Sequence, residues 1–149
     1  MLEMEGTTRV CDLMHKGVVF CRPEDNLKEV AGIMKENGLR SVVVMHESGE
    51  VWGLISLLEI IRSFGEDLEG ISAESVMQPY KIHVDPQWPI ERSIELMKKR
   101  RIEHLIIVDP HAGPKRPIGL LSSYDIVRYM AHIPSGQFEH VLRLHTANP

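Results

Sequence analysis

The chain repeats itself. Met14, Pro23 and Met34 recur as Met77, Pro86 and Met97, each 63 residues later (77 − 14, 86 − 23, 97 − 34). Leu27, Leu39, Val42 and Val44 fall on Ile90, Ile102, Leu105 and Ile107 at the same offset. Beyond the proline-bearing stretch His111–Pro117 the offset becomes 66 (119 − 53), and Gly53, Ser56 and Ile60 meet Gly119, Ser122 and Ile126. A register kept this long and shifted by one small insertion predicts two copies of a single supersecondary unit. One copy alone cannot bury an apolar sheet face. The two are therefore expected to pack together about a pseudo-twofold axis, with equivalent clefts between them.

Each copy reads as strand-helix-strand-strand-helix. Val10–Met14 opens the first with a helical turn, and Val18–Cys21 is a brief apolar strand ended by Pro23. Leu27, Val30, Ala31 and Met34 then sit at i, i+3, i+4 and i+7, which predicts an amphipathic helix over Glu24–Asn37. Asp25 or Asn26 can cap its start, and Gly38 occupies the place of a left-handed C-cap. Ser41–Met45 and Val51–Ser56 read as strands joined by a turn at Ser48-Gly49-Glu50, and Leu57–Phe64 as a closing helix.

Gly65–Ser72 reads as the linker. In the second copy the strands are expected at Lys81–Val84, Leu105–Val108 and Ile118–Ser122, and the helices at Pro89–Arg101 and Tyr124–His132. Phe138, Val141 and Leu142 in the tail Ser135–Pro149 are spaced for a short docking helix. The expected class is mixed α+β: two β-α-β-β-α repeats packed through their sheets as one module. The first repeat with its N-terminal segment is assigned to 1–66, the linker and second repeat to 67–133, and the tail to 134–149.

Totals exclude several functions. A formal charge of −4 over 149 residues argues against nucleic acid or an anionic membrane surface as the main partner, despite the local cluster Lys98-Lys99-Arg100-Arg101. No apolar run approaches the roughly 18 residues of a membrane span. The acidic start Met1–Glu5 lacks a secretory apolar core. Cys11 and Cys21 have neither zinc-site nor redox-motif spacing and read as two buried thiols in a reducing cytoplasm. The eight histidines form no H-x-x-x-H pair backed by a carboxylate, so no metal is expected. Met14, Met34, Met77, Met97 and Met130 read as core filler. No nucleophile elbow, Ser-His-Asp order or phosphate-binding loop is present, which leaves catalysis without machinery.

Gly119-Leu120-Leu121-Ser122-Ser123-Tyr124-Asp125 is the stretch with chemistry in it. It reads as the end of a buried strand, a tight turn and the first turn of a helix. Gly119 permits close approach by another backbone or a ligand. Ser122 and Asp125, three apart, share one face of the opening helix. A plain helix cap accounts for that pair. So does a carboxylate placed to accept two vicinal hydroxyls, as on a ribose, with the serine and free N–H groups facing phosphates. The earlier copy Gly53–Glu59 repeats the pattern with a longer acid.

The order of these features, given twice, resembles a tandem pair of CBS domains, the cystathionine β-synthase type regulatory module. The likeness is carried by Val-x-Asp-Leu-Met at Val10–Met14, by strand-x-Pro at Val19–Pro23 and Ile82–Pro86, and by the helix bearing Met34 or Met97. It continues through Leu-Arg-Ser-Val-Val-Val, Ile-Glu-His-Leu-Ile-Ile-Val-Asp, and the paired Gly-hydrophobic-x-Ser-x-x-Asp/Glu-Ile, covering Val10 to Ala131.

The resemblance implies a non-catalytic module that needs no cofactor and binds an adenosine-type effector between the repeats: AMP, ADP, ATP or S-adenosylmethionine. It matches Asp125 to a ribose-binding acid and Ser122, with Ser123 beside it, to the neighbouring hydroxyl. Ile82 and His83 match residues lining the adenine pocket, and Arg40 a position that reaches phosphates. The pseudo-symmetric site takes Ser56, Glu59, Val19, Phe20, Glu103 and His104. It is expected to be weaker for phosphorylated ligands, because Glu59 is too long and Glu103 adds negative charge. The resemblance also implies a homodimer through the helical faces, here Leu57, Leu58, Ile61, Val127 and Met130, and signalling to a protein partner. The competing reading is a dimerising scaffold that binds a protein without any ligand.

Overall fold

The computed structural model describes residues 7–111 and 116–132. The expected tail helix and most of the loop 111–117 lie outside them. Along the chain run α1 (Val10–Leu13), β1 (His15–Lys16), β2 (Phe20–Cys21), α2 (Leu27–Asn37), β3 (Ser41–Met45), β4 (Val51–Ser56) and α3 (Leu57–Arg62). A 3-10 turn at Leu68–Gly70 leads into α4 (Ala73–Val76), β5 (Gln78–Pro79), α5 (Ile90–Arg100), β6 (His104–Val108), β7 (Pro117–Ser122) and α6 (Ser123–Ala131).

Local chemistry sets the helix ends. Asn26 caps α2 by accepting from the Glu29 N–H, and Gly38 ends it at φ 62. Arg101 ends α5 in the same left-handed conformation, at φ 53, without glycine's freedom. Pro89, expected as the first helical residue, is instead the N-cap of α5, one place before Ile90.

Two sheets form, in the orders β2-β3-β4-β5 and β1-β7-β6. β3 and β6 show why they pack face to face. Val42 and Val44 on β3 turn towards α2 and α4, in a core with Leu27, Val30 and Ile55. Leu105 and Ile107 on β6 turn towards α1 and α5, with Val10, Val84 and Ile90. The alternate residues Val43, Ile106 and Val108 meet one another between the sheets. Both faces of each central strand are thereby covered, as their unbroken apolar runs require. Each such aliphatic side chain stabilises the fold by about 1.5–3 kcal/mol, so Ile55→Ala is expected to cost about 2–5 kcal/mol with its cavity.

The repeats exchange their opening segments. α1 packs in the core of the second repeat, where the Val10 N–H donates to Trp88 O at 2.9 Å and the Ile90 N–H to Thr8 O at 2.9 Å. β1 pairs antiparallel with β7, His15 opposite Leu120. In mirror fashion Ala73 of α4 lies in the first core, and β5 pairs with β4, Gln78 opposite Leu54. The linker is correspondingly tied down: the Leu27 N–H donates to Ile71 O at 2.9 Å, and Leu68 packs on the first core.

Gly53 and Gly119 make the exchange possible. A Cβ on Gly119 would stand 2.6 Å from His15 O, and one on Gly53 would stand 2.7 Å from Gln78 O. The close approach expected at Gly119 is therefore made by backbone.

The expected opening strands are shorter than Val18–Cys21 and Lys81–Val84. In the first repeat Phe20 and Cys21 pair with Val43 and Val44, preceded by a bond from the Val43 N–H to Val19 O. In the second, only Val84 bridges to Ile107. Cys11 and Cys21 are free thiols, and burial pushes that of Cys21 up to about 12, leaving it protonated and unreactive.

Candidate functional site

The exchange lays two crossing segments between the sheets. The first, Gly17–Val19, runs from β1 on the second sheet to β2 on the first. The second, Tyr80–His83, makes the equivalent crossing from β5 to Val84. A cavity of about 720 Å³ opens beside the first crossing, a size suited to a small-molecule ligand. One wall is that crossing together with Lys16. A second comes from the end of α2 and the start of β3, with Gly38, Arg40, Ser41 and Val43. The third belongs to the second repeat, with His104, Leu120, Ser122, Tyr124 and Arg128.

Asp125 stands directly behind Ser122 and is 4% exposed. Its Oδ2 accepts from the Ser122 N–H at 2.8 Å and the Ser122 hydroxyl at 3.0 Å. Its own N–H donates to Ser122 Oγ at 3.2 Å. This is a capping box, so the plain reading of the Ser-x-x-Asp pair holds. The cap uses only one carboxylate oxygen. Oδ1 turns to His15, whose Nε2 lies 2.8 Å away.

Glu59 is held in the same manner. Oε1 accepts from the Ser56 N–H and hydroxyl, both at 2.6 Å, and Oε2 from Gln78 Nε2 at 2.9 Å, with Arg62 at 3.7 Å. His15 and Gln78 are themselves equivalent (78 − 15 = 63). Each exchanged segment thus clamps the carboxylate of the repeat it has crossed to.

Charge around the cavity is one-sided. Lys16, Arg40 and Arg128 are among its lining residues, and none of the lining residues is acidic. The guanidinium carbons of Arg40 and Arg128 lie 5.1 and 5.9 Å from the Tyr124 ring centroid. Burial lowers the His104 pKa; Arg40 adds to that, while Glu103 opposes it. Ser41 Oγ is buried with no partner among the described residues, an unusual state for a hydroxyl.

The predicted residues are distributed differently from the expected grouping. Arg40 and Ser122 line the cavity with Asp125 at its back. Ser123 faces away, its hydroxyl 3.1 Å from Glu103 Oε1. Ile82 packs against the second core, and His83 is exposed on the other crossing. Neither lines this cavity. Val19 and His104, grouped with the second site, do line it, whereas Phe20 is 47% exposed outside.

The physical reason is the exchange, which sets the crossing of one repeat against the carboxylate of the other. His15, Lys16, Tyr124 and Arg128 were missed. Only Arg128 had a local signal, lying three residues after Asp125 on the same helix.

Fold and site define a two-repeat module with a ligand-sized cleft where its sheets meet. The chain belongs to the CBS domain family, whose model matches residues 10–66 and 73–132. An uncharacterized protein of Methanopyrus kandleri is 26% identical over 122 residues, which are 80% of this chain and 61% of that protein. A homoserine O-acetyltransferase of Methanohalobium evestigatum is 26% identical over 121 residues, 81% of this chain and 24% of the enzyme. The chain thus spans less than two thirds of the length of these curated relatives. Among solved structures, the CBS domain pair of protein MJ0100, in complex with 5′-methylthioadenosine and S-adenosyl-L-methionine, superposes with a TM-score of 0.75 at 22% identity. That match covers 84% of this chain and 97% of the other.

Proposed function

We propose that this chain is a non-catalytic regulatory module that binds an adenine nucleotide in the cleft between its repeats. The observation carrying this reading is the polarity of the cavity. A single buried carboxylate, Asp125, backs it, and the cationic residues Lys16, Arg40 and Arg128 are among those lining it. A ribose diol can donate to Asp125, displacing or sharing with His15, while phosphates lie towards the cations. The unpartnered Ser41 hydroxyl supplies a further polar contact. Protein MJ0100 binds two phosphate-free adenosine compounds. The basic wall favours AMP, ADP or ATP over S-adenosylmethionine here, whose sulfonium adds positive charge.

Binding at the junction of two sheets and two crossings gives the ligand leverage over repeat packing, and so a means of signalling to a partner. Leu57, Leu58, Ile61, Val127 and Met130 are all at least 43% exposed on α3 and α6, the apolar face through which two copies pair as a homodimer. Sedimentation of Ile61→Glu with Val127→Glu tests that pairing, and a wild type that sediments as a monomer removes it.

Calorimetry with AMP, ADP, ATP and S-adenosylmethionine tests the ligand. A nucleotide should bind more tightly than S-adenosylmethionine. Absence of both heat and thermal shift across the panel would return the chain to the ligand-free scaffold reading.

A further inference from the structure

The two crossings differ sharply at a position that the sequence pattern passes over. Gly17, on the first, has the equivalent Tyr80 on the second (80 − 17 = 63). Gly17 lines the open cavity at φ 78, and a Cβ built there meets nothing within 4 Å. Tyr80 runs into the space between the sheets and packs, as Leu54 does, against the buried cluster of Val43, Ile106 and Val108. Ile106 and Leu54 are the equivalents of Val43 and Leu120, two residues that line the open cavity (106 − 43 = 63, 120 − 54 = 66). The phenol ring therefore fills the symmetry-related copy of the space that the first cleft leaves empty.

Its hydroxyl is tied there twice. Tyr80 Oη donates to Ile106 O and accepts from the Ile106 N–H, each at 2.8 Å. Those are the ladder groups an opening strand would use: in the first repeat the equivalent Val43 N–H donates to Val19 O at 3.2 Å. With Ile106 taken by a side chain, the segment Lys81–His83 leaves the sheet, and pairing resumes only at Val84. Burial pushes the phenol pKa well up, opposed by the Ile106 bond, so the hydroxyl stays protonated and keeps donating.

We infer that Tyr80 stands permanently in the second cleft as a plug, so that the module carries one ligand site per chain. The plug, and not the carboxylate of Glu59, closes that copy. Glu59 is fully partnered by Ser56, Gln78 and Arg62 and repels nothing it does not already satisfy.

The inference rests on the nucleotide reading for its stoichiometry but not for the plug itself, and the test separates the two. AMP and uncharged adenosine are titrated into wild type, Tyr80→Gly and Tyr80→Phe, with amide exchange at Ile106 followed by NMR. Wild type should take one equivalent of AMP, Tyr80→Phe one, and folded Tyr80→Gly a second equivalent of adenosine.

Tyr80→Phe should speed Ile106 exchange about fivefold or more, as loss of one hydrogen bond predicts. Saturating AMP should leave that exchange unchanged in wild type. Two equivalents in wild type, a folded Tyr80→Gly that still takes one, or ligand-accelerated exchange at Ile106 would each overturn the plug. If wild type binds neither compound, the nucleotide reading fails. The plug then stands or falls on Ile106 alone, equal exchange in wild type and Tyr80→Phe being the overturning result.

Discussion

His15 Nε2 lies 2.8 Å from Asp125 Oδ1, joining the N-terminal exchanged segment to the buried acid at the back of the cleft. The same oxygen is the one a ribose diol would use. In the proposed complex, ligand and N-terminal segment would share one acceptor, and cleft occupancy would then bear on the docking of β1. His15 is 62% exposed at its side chain, so the pair itself is screened. His15→Ala is expected to cost less than about 1 kcal/mol of stability, read by urea denaturation. Asp125→Ala should weaken nucleotide binding by roughly 1.5–3 kcal/mol, the range for hydrogen bonds to a charged group. Calorimetry showing unchanged affinity in Asp125→Ala would remove the acid from the site.

Arg40 faces the cavity where the other repeat has Glu103 (103 − 40 = 63). Arg40→Glu transplants that charge. Affinity for ATP should fall about tenfold or more, the scale of exchanging one charge-assisted contact for a repulsion. Adenosine, without phosphate, should bind as before. An equal loss for both would mean that the substitution damages the fold and not a phosphate contact.

Gly119 is required by backbone packing, since a Cβ there meets His15 O at 2.6 Å and Met14 Sδ at 2.9 Å. Gly119→Ala should destabilise by about 1–3 kcal/mol, typical of overpacking against a neighbour that cannot yield. The melting temperature reports it. A neutral outcome would show that β1 can shift away from β7 at little cost.

Burial depresses the His104 pKa below its ordinary value of 6.5, with Arg40 adding to the effect. The unfolded chain then binds the proton more readily than the folded one. Stability is unaffected by this group above pH 6.5 and falls as pH drops below it, until the folded imidazole also protonates. Denaturant midpoints at pH 7.5 and 5.5 should differ less in His104→Gln than in wild type. An identical difference in both proteins would assign the acid sensitivity elsewhere.

The repeat, the helix caps at Asn26 and Gly38, the central strands and the Ser-x-x-Asp pair were all legible in the sequence, because each is written in local spacing. Periodicity and cap chemistry operate within a few residues, and a 63-residue register states plainly that the unit recurs. The sequence also singled out Arg40 and Ser122, and both line the cavity.

Which repeat receives α1 and β1 was decided only by the tertiary structure. Two near-identical sheet edges compete for each opening segment, and the choice depends on contacts such as Val10 with Trp88 and Gly119 with His15, which no periodicity encodes. From that choice follow the grouping of Val19 and His104 with Asp125, the clamp by His15, and the Tyr80 hydroxyl at Ile106 in place of a strand. The repeat makes two clefts possible, and long-range packing makes them different.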